Sequence, residues 1–218
     1  TGVLNIGAPV TVSYNSTVGG TSTGAITVGA TTLVDGVTLT VGAGAANAIS
    51  MSTVTGTASG SASNLTINST GAVTVSGAVG TDIGTITITN SGGTTFSSTV
   101  NAANVAITST TAGNTVSFGG NLTVGTGMTV GAGSAAYNVS ILGGSNSIAG
   151  ATTFNNTGTV TLGNSGDTLA FTGGLVATAP SRVYLGGTIT AAGTGVLNIG
   201  APVTVSYNST VGGTSTGA

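Results

Sequence analysis

Residues 64 to 127 read as three consecutive segments of one pattern: NLTINSTGAVTVSGAVGTDIG (64–84), TITITNSGGTTFSSTVNAA (85–103) and NVAITSTTAGNTVSFGGNLTVGTG (104–127). Each segment holds short runs in which apolar and polar residues alternate, as they do in a strand with one buried face. Glycine-rich breaks between the runs supply the backbone freedom that tight corners need. The pattern predicts an all-β chain folded as a parallel β-helix, or β-solenoid, with turns of about 19–24 residues.

The same pattern extends to both sides of this region. Triplets of apolar, polar and apolar residues recur from Leu4-Asn5-Ile6 to Val183-Tyr184-Leu185, and no segment shows the 3.6-residue stripe of a helix. A β-sandwich is the competing architecture, because its strands also recur every 8–12 residues or so. The regular turn-length period, the scarcity of proline and the uniformly short strands favour the solenoid. Aromatic residues fall about once per predicted turn, as an interior stack would: Phe96, Phe118, Tyr137, Phe154, Phe171 and Tyr184.

A long exact duplication sets the larger organisation. The first 25 residues, Thr1–Ala25, return letter for letter as Thr194–Ala218, an offset of 193 residues. We therefore predict that residues 1–193 form one full unit of a tandem array, and that residues 194–218 begin the next identical unit. The second copy should then occupy the same structural environment as the first, one axial period further on. Identical units in series are typical of a structural polymer rather than of an enzyme with one site.

The charge content is extremely low and excludes several classes of partner. The 218 residues have a formal net charge of −2, contain no histidine and no cysteine, and carry only Asp35, Asp82, Asp167 and Arg182 as charged side chains. Binding to nucleic acid needs clustered lysine or arginine, so no nucleic-acid partner is expected. No run of about twenty apolar residues is present, so no membrane-spanning helix is expected either.

The same shortage of reactive side chains argues against catalysis. A Ser-His-Asp triad needs a histidine, and cysteine nucleophiles and zinc sites of the usual kind are equally ruled out. The three aspartates are too far apart in sequence for a glycosidase-like carboxylate pair to be expected. We therefore predict that the chain is not an enzyme and has no cofactor.

Calcium is the one metal that the sequence leaves to consider, with Asp35, Asp82 and Asp167 as the candidate ligands. Two of these aspartates lie in turn-like sequences, in which an aspartate side chain usually bonds its own backbone. The glycine-aspartate repeat of calcium-binding β-rolls is absent, so a structural role in turns is favoured. Arg182 is expected to bond a neighbouring aspartate or carbonyl rather than a ligand.

A threonine ladder suggests a surface function. Thr85, Thr87 and Thr89 place hydroxyls on one face of a predicted strand, as in ice-binding β-solenoids. An ice-binding face needs the same Thr-x-Thr phase in every turn, whereas the triplets here vary. A solvated strand face is therefore favoured, and contact with another filament or a sugar surface remains an alternative.

The residues also resemble a known group of proteins. The segments LTINSTGAVTVSGAVG (65–80) and ITITNSGGTTFSSTVNAANVAITS (86–109) are similar to the β-strand repeats of filamentous-haemagglutinin-like adhesins and of autotransporter passenger regions. The likeness covers about residues 64–185 and is compositional. It implies a right-handed parallel β-helix that a bacterium exports to its surface or beyond. It carries over no functional residues.

These observations together predict a structural protein. The expected function is a cell-surface or extracellular filament, or an adhesin shaft, made by continuous stacking of solenoid turns. Its expected partners are neighbouring copies of itself, with other filaments or surface glycans as further possibilities. The alternative function is a binding module with a glycan- or ice-binding face on the same solenoid.

Overall fold

The structure is a computed structural model that describes residues 2–21, 23–214 and 217, and within these residues it contains strands but no helix. No helix that could cross a membrane is therefore present in the described ranges. All strand pairings are parallel and belong to one continuous sheet. The strands, in chain order, are β1 (Leu4–Ile6), β2 (Val10–Val12), β3 (Ser16–Gly19), β4 (Ile26–Val28), β5 (Thr31–Leu33), β6 (Thr38–Ala45), β7 (Ile49–Met51), β8 (Val54–Gly56), β9 (Ser63–Ser69), β10 (Val73–Val75), β11 (Val79–Gly80), β12 (Ile83–Asn90), β13 (Thr94–Phe96), β14 (Val100–Ile107), β15 (Thr115–Phe118), β16 (Leu122–Val130), β17 (Asn138–Ile141), β18 (Ser145–Ile148), β19 (Thr152–Phe154), β20 (Thr159–Phe171), β21 (Gly174–Val176), β22 (Arg182–Ala191), β23 (Val196–Asn198), β24 (Val203–Val205) and β25 (Thr210–Gly213).

The strands stack into three faces, which the chain visits in the same order in every turn. The first face begins with β1, β4 and β7, the second with β2, β5 and β8, and the third with β3, β6 and β9. Leu4, Ile26 and Ile49 occupy equivalent positions on the first face, 22 and 23 residues apart. The chain makes about nine such turns. The predicted parallel β-solenoid is confirmed, and the sandwich alternative is wrong.

Alternation along each strand divides the core from the surface. In β10, Val73 and Val75 are buried and Thr74 is exposed, and the same inward and outward order recurs in most strands. The inward residues of all turns form one continuous hydrophobic core along the axis. Burying a valine, leucine or isoleucine side chain contributes about 1.5–3 kcal/mol, so every turn gains stability from its own inward residues and from those of its neighbours.

The aromatic residues form pairs in the core rather than one continuous stack. Phe96 and Phe118 lie in register on adjacent turns, with ring centroids 5.1 Å apart and planes only 3° apart. Phe154 and Phe171 meet edge to face at 6.5 Å. Tyr137 is buried, whereas Tyr184 is only half-buried because it is the outward residue of its triplet. The interior stack predicted from spacing therefore exists only locally.

Asparagine side chains connect successive turns at the corners. In several corners the Oδ1 atom accepts a hydrogen bond from a backbone N–H of the next turn. The pairs are Asn15 with Thr38 at 2.8 Å, Asn64 with Thr85 at 2.9 Å, Asn121 with Ser145 at 3.1 Å and Asn138 with Thr159 at 2.7 Å. These bonds satisfy backbone donors where the chain leaves the regular ladder, so they hold each corner in axial register.

Close backbone approach at the corners requires glycine at specific positions. A Cβ atom at Gly150 would lie 2.1 Å from the carbonyl oxygen of Thr126 in the preceding turn, whereas a Cβ at Gly144 would meet nothing within 4 Å. We expect Gly150→Ala to lower the free energy of unfolding by about 1–3 kcal/mol, because the neighbouring backbone must move. Gly144→Ala is the matched control and should change it by less than about 0.5 kcal/mol. Urea denaturation of both variants measures the difference, and equal midpoints would refute the close-approach argument.

The two copies of the 25-residue string form the two ends of the described solenoid. The first copy supplies β1, β2 and β3, and the last copy supplies β23, β24 and β25, with bounds that agree within one residue. β1 stacks on β4 of the first face, but β23 stacks on β21 of the third face. β24 and β25 likewise lie on the first and second faces. The second copy therefore repeats the strand pattern of the first but sits one third of a turn away from it.

This displacement follows from the number of strand segments in one unit. β14, β16, β20 and β22 each run around a corner and contribute a segment to two faces. Twenty-six strand segments therefore precede β23. At three segments per turn, they make eight and two-thirds turns. The prediction of an identical environment is therefore wrong as regards position around the axis.

Five residues of the two copies lie outside the described residues: Thr1, Ser22, Ser215, Thr216 and Ala218.

Candidate functional site

The charged side chains are distributed along the solenoid. Asp35 follows β5, Asp82 precedes β12, and Asp167 and Arg182 lie in β20 and β22. No group of three aspartate, glutamate, histidine or cysteine side chains comes together anywhere in the described ranges. The three candidate calcium ligands are therefore not gathered into one site there.

Asp35 and Asp82 both occupy corners. The hydroxyl of Thr57, one turn further on, donates a hydrogen bond to Oδ1 of Asp35, and Gly60 leaves room for the same carboxylate. Asp82 has a φ of 55°, and its carbonyl accepts a hydrogen bond from the N–H of Ser63 at 3.1 Å. The contacts of both residues thus join adjacent turns, as expected for corner residues.

Asp167 and Arg182 contact protein groups near the last turns. Oδ2 of Asp167 accepts a hydrogen bond from the N–H of Asn164 at 2.7 Å, which closes a loop that bulges between Leu162 and Asp167. Arg182 donates from Nη1 to the hydroxyl of Thr204 at 2.7 Å. The partner of the arginine is therefore a hydroxyl of the last turn rather than the aspartate or carbonyl that we expected.

A column of hydroxyl groups runs along the first face and was not recognised from the sequence. Each member is the outward, middle residue of a triplet, and consecutive members pair in register between turns. The column consists of Thr27, Ser50, Thr74, Thr95, Ser117, Ser140 and Thr161. The triplets were visible in the sequence, but their alignment depends on turn lengths that vary from turn to turn. The column presents an uncharged strip of donors and acceptors to solvent.

The threonine ladder predicted in β12 is less regular. Thr87 stacks on Thr66 of the preceding turn, but the next position in that column is Ala106. Thr85 is followed by Asn104, and Thr89 lies where the register shifts. The Thr-x-Thr grid that an ice-binding face requires is therefore interrupted on this side of the solenoid.

Exposed apolar side chains are concentrated at the two ends. All large hydrophobic side chains that are exposed in the described residues belong to the duplicated string: Val3, Tyr14, Val203, Val205, Tyr207 and Val211. Val12 is only 5% exposed because β5 of the next turn covers it, whereas its duplicate Val205 is 62% exposed. In the tandem array that the duplication predicts, the turns of neighbouring units would cover these side chains.

A shallow pocket adjoins the last turn. It is lined by Ser165 and Gly166 of the bulged loop and by Tyr207 and Asn208 of the second copy. A Cβ atom at Gly186 would lie 2.7 Å from the carbonyl oxygen of Gly163 and 3.0 Å from the ring of Tyr207, so glycine at this position leaves room for the ring. The pocket is uncharged apart from the neighbouring Asp167, which already bonds Asn164. It offers an aromatic ring, hydroxyl groups and an amide as contact and hydrogen-bonding groups.

Tyr137 is the buried tyrosine of the core. Its hydroxyl donates a hydrogen bond to the carbonyl of Gly131 at 2.6 Å. Burial disfavours the phenolate and raises the pKa of Tyr137 to about 12, from the ordinary value of 10.0. The hydroxyl is therefore a structural donor and remains protonated at neutral pH.

The pKa of Tyr137 predicts a loss of stability at alkaline pH. Above about pH 10 the unfolded chain loses this proton while the folded chain retains it. The contribution to stability should therefore be intact below pH 10, fall by about 1.4 kcal/mol per pH unit between pH 10 and 12, and level off above. Tyr137→Phe should be less stable at neutral pH by about 1 kcal/mol, through loss of the hydrogen bond, and should lack this part of the alkaline decline. Urea titrations between pH 8 and 12 test this, and parallel profiles for the two proteins would contradict it.

Comparison with known proteins adds no identification. No family of known proteins, no characterised protein and no solved structure gives a significant match to this chain.

Proposed function

We propose that this chain is a structural protein, a β-solenoid shaft with very few charges that serves in a filament or adhesin at or beyond the cell surface. The observation that carries the proposal is the unbroken parallel ladder of about nine turns, which begins and ends with the same 25-residue string. A ladder of this kind transmits load along its axis through backbone hydrogen bonds, and each turn depends only on its neighbours. The expected partners are further copies of the same unit.

The surface chemistry supports an extracellular setting. With three aspartates and one arginine in 218 residues, the shaft has little electrostatic repulsion against its own kind. Arg182 is the only residue after which a trypsin-like protease could cut, and it lies within β22. The resemblance to bacterial surface repeats points in the same direction. A rod with few charges and a single trypsin-type cleavage site suits a fibre that is exposed to the environment.

Electron microscopy of the native material tests the proposal. Shafts one solenoid wide with an axial repeat of about 42 Å are expected, because eight and two-thirds turns rise by about 4.8 Å each. Discrete globular particles without elongated shafts would overturn it.

The hydroxyl column favours a second candidate function, contact with a polysaccharide. Seven stacked hydroxyl side chains could bond sugar hydroxyls along one face without any charged group. Cosedimentation of the protein with insoluble polysaccharides, compared with a Thr74→Val and Thr95→Val double variant, separates this function from that of a passive shaft. Binding by the native protein that the double variant loses would support the second candidate, and equal behaviour would exclude this column as the contact.

A further inference from the structure

We propose that the outward side of β22 on the first face binds a uronic acid residue of an extended polysaccharide, with the sugar ring on Tyr184 and the carboxylate on Arg182. We call this pair of residues the uronate site. The inference rests on the proposed function and deepens it, because it names a class of ligand for the face that carries the hydroxyl column.

Tyr184 continues the hydroxyl column with an aromatic ring. It pairs in register with Thr161 of the preceding turn and with Thr204 of the following turn. Its neighbours Val183 and Leu185 point into the core and are only 0% and 4% exposed, whereas the tyrosine is the outward residue and is half-buried. The ring therefore lies on the solvent side of the sheet, with a threonine in register before and after it.

Arg182 lies beside this ring. It precedes Tyr184 by two residues on the same side of the strand, at a distance of about 6.6 Å along the backbone. Its Nη1 donates a hydrogen bond to the hydroxyl of Thr204 at 2.7 Å. Because Thr204 is the register neighbour of Tyr184, this bond draws the guanidinium towards the row in which the ring lies.

The guanidinium of Arg182 has no charged partner. Within the described part of the chain, no carboxylate lies close enough to it for an ion pair, and its side chain bonds only the hydroxyl of Thr204. Its other N–H donors belong to an exposed side chain and are available to a ligand. A guanidinium is a planar fork that matches a carboxylate through bidentate hydrogen bonds. The arginine therefore fits a carboxylate-bearing ligand.

The groups around the arginine fit a sugar rather than a simple anion. The C–H bonds of a pyranose ring carry partial positive charge and pack against the negative face of an aromatic ring. The hydroxyls of Thr161 and Thr204, on either side of Tyr184, can bond sugar hydroxyls. A uronic acid meets both requirements, because its carboxylate is attached to the pyranose ring itself.

The hydroxyl column extends the uronate site along the axis. From Thr161 the column runs back through Ser140 and Ser117, one turn at a time, with a rise of about 4.8 Å per turn. An extended polysaccharide parallel to the axis would meet one hydroxyl row after another. A further turn stacked beyond Thr204 would lengthen this face without covering its outward side chains. In a tandem array the site would recur in every unit, so weak single contacts would add up on a long polysaccharide.

An NMR titration tests the site directly, because Arg182 is the only arginine and the chain has four tyrosines. The Nε–H signal of Arg182 is therefore unambiguous, and the variant Tyr184→Thr identifies the ring signals of Tyr184. The probe is trigalacturonic acid at about pH 6, where its carboxyl groups are ionised. We expect a saturable shift of both signals, and no shift of the ring of Tyr137, which is buried.

Matched ligands and variants separate the contributions of the charge and of the ring. The methyl ester of the same trisaccharide lacks the carboxylates and should bind about tenfold more weakly, as should the acid to Arg182→Lys, which keeps the charge but loses the fork. Tyr184→Thr should weaken binding about fivefold, measured at the arginine signal. The control is Thr123→Val, which changes an exposed residue of the second face and should bind as the native protein does.

The possible outcomes are distinct. The absence of any saturable shift at millimolar concentrations would overturn the inference, as would equal binding of the acid and its ester. Equal shifts with sodium acetate, or unchanged binding by Tyr184→Thr, would reduce the site to an anion contact and overturn the assignment of a sugar. If native material shows shafts but the trisaccharide does not bind, the inference falls and the shaft stands. If the trisaccharide binds but native material is globular, the shaft falls and the uronate site stands.

Discussion

Replacing Phe118 with alanine is expected to lower the free energy of unfolding by about 3–5 kcal/mol, the range for a large aromatic side chain removed from a tight core. Phe118 is fully buried, stacks on Phe96 of the preceding turn at 5.1 Å, and has Ile141 in register on the following turn. The cavity would therefore lie between three successive turns. Since each turn of a solenoid is held by its neighbours, the loss should not be confined to one strand.

The matched control for this substitution lies on the outward side of the same face. Thr95 is exposed and pairs in register with Ser117, so Thr95→Ala should change the stability by about 0.5 kcal/mol or less. Guanidinium denaturation of the two variants and the native protein gives both free energies, with the slope of the transition as a check that unfolding remains cooperative. A Phe118→Ala variant as stable as Thr95→Ala would show that the aromatic pair contributes little to the core.

The sequence was sufficient to predict the fold because its signals are local and repeated. Alternation in triplets such as Val73-Thr74-Val75 determines which side chain is buried, and the return of an equivalent triplet to the same face once per turn determines the stacking. Both signals can be recognised in the sequence without knowing which strands pair with each other. The all-β class, the parallel solenoid and the turn length all follow from them.

The alignment between turns could not be predicted, and the candidate surface depends on it. Turns differ by a few residues, as the steps from Leu4 to Ile26 and from Val183 to Val203 show. These differences are absorbed at corners, where the sequence gives little information on register. Three features depend on how these differences in turn length accumulate over several turns. They are the hydroxyl column, the pairing of Phe154 with Phe171 and the rotation of the second string.

Asn146 is a buried polar residue in the middle of the solenoid, and its side chain joins successive turns. It is 2% exposed and lies in β18, between β16 and β20. Its Oδ1 accepts the N–H of Leu122 at 3.0 Å, and its Nδ2 donates to the carbonyls of Gly143 at 2.5 Å and Thr168 at 3.2 Å. One side chain thereby satisfies backbone groups in three successive turns. A buried amide with all its partners in place fixes the register that the variable corners leave open.

Replacing Asn146 with leucine, which has a similar volume, should therefore lower the free energy of unfolding by about 3–5 kcal/mol. Each backbone group left buried without a partner costs about 1–3 kcal/mol, and a leucine cannot bond the N–H of Leu122 or the two carbonyls. The exposed neighbour Ser147 gives the control, since Ser147→Ala removes an outward hydroxyl and should change the stability by about 0.5 kcal/mol or less. Amide hydrogen exchange adds a local measurement, because the N–H of Leu122 should exchange faster in Asn146→Leu than in Ser147→Ala. Unchanged protection of that amide would show that a water or another group replaces the asparagine. The register between turns would then be maintained by the hydrophobic core alone.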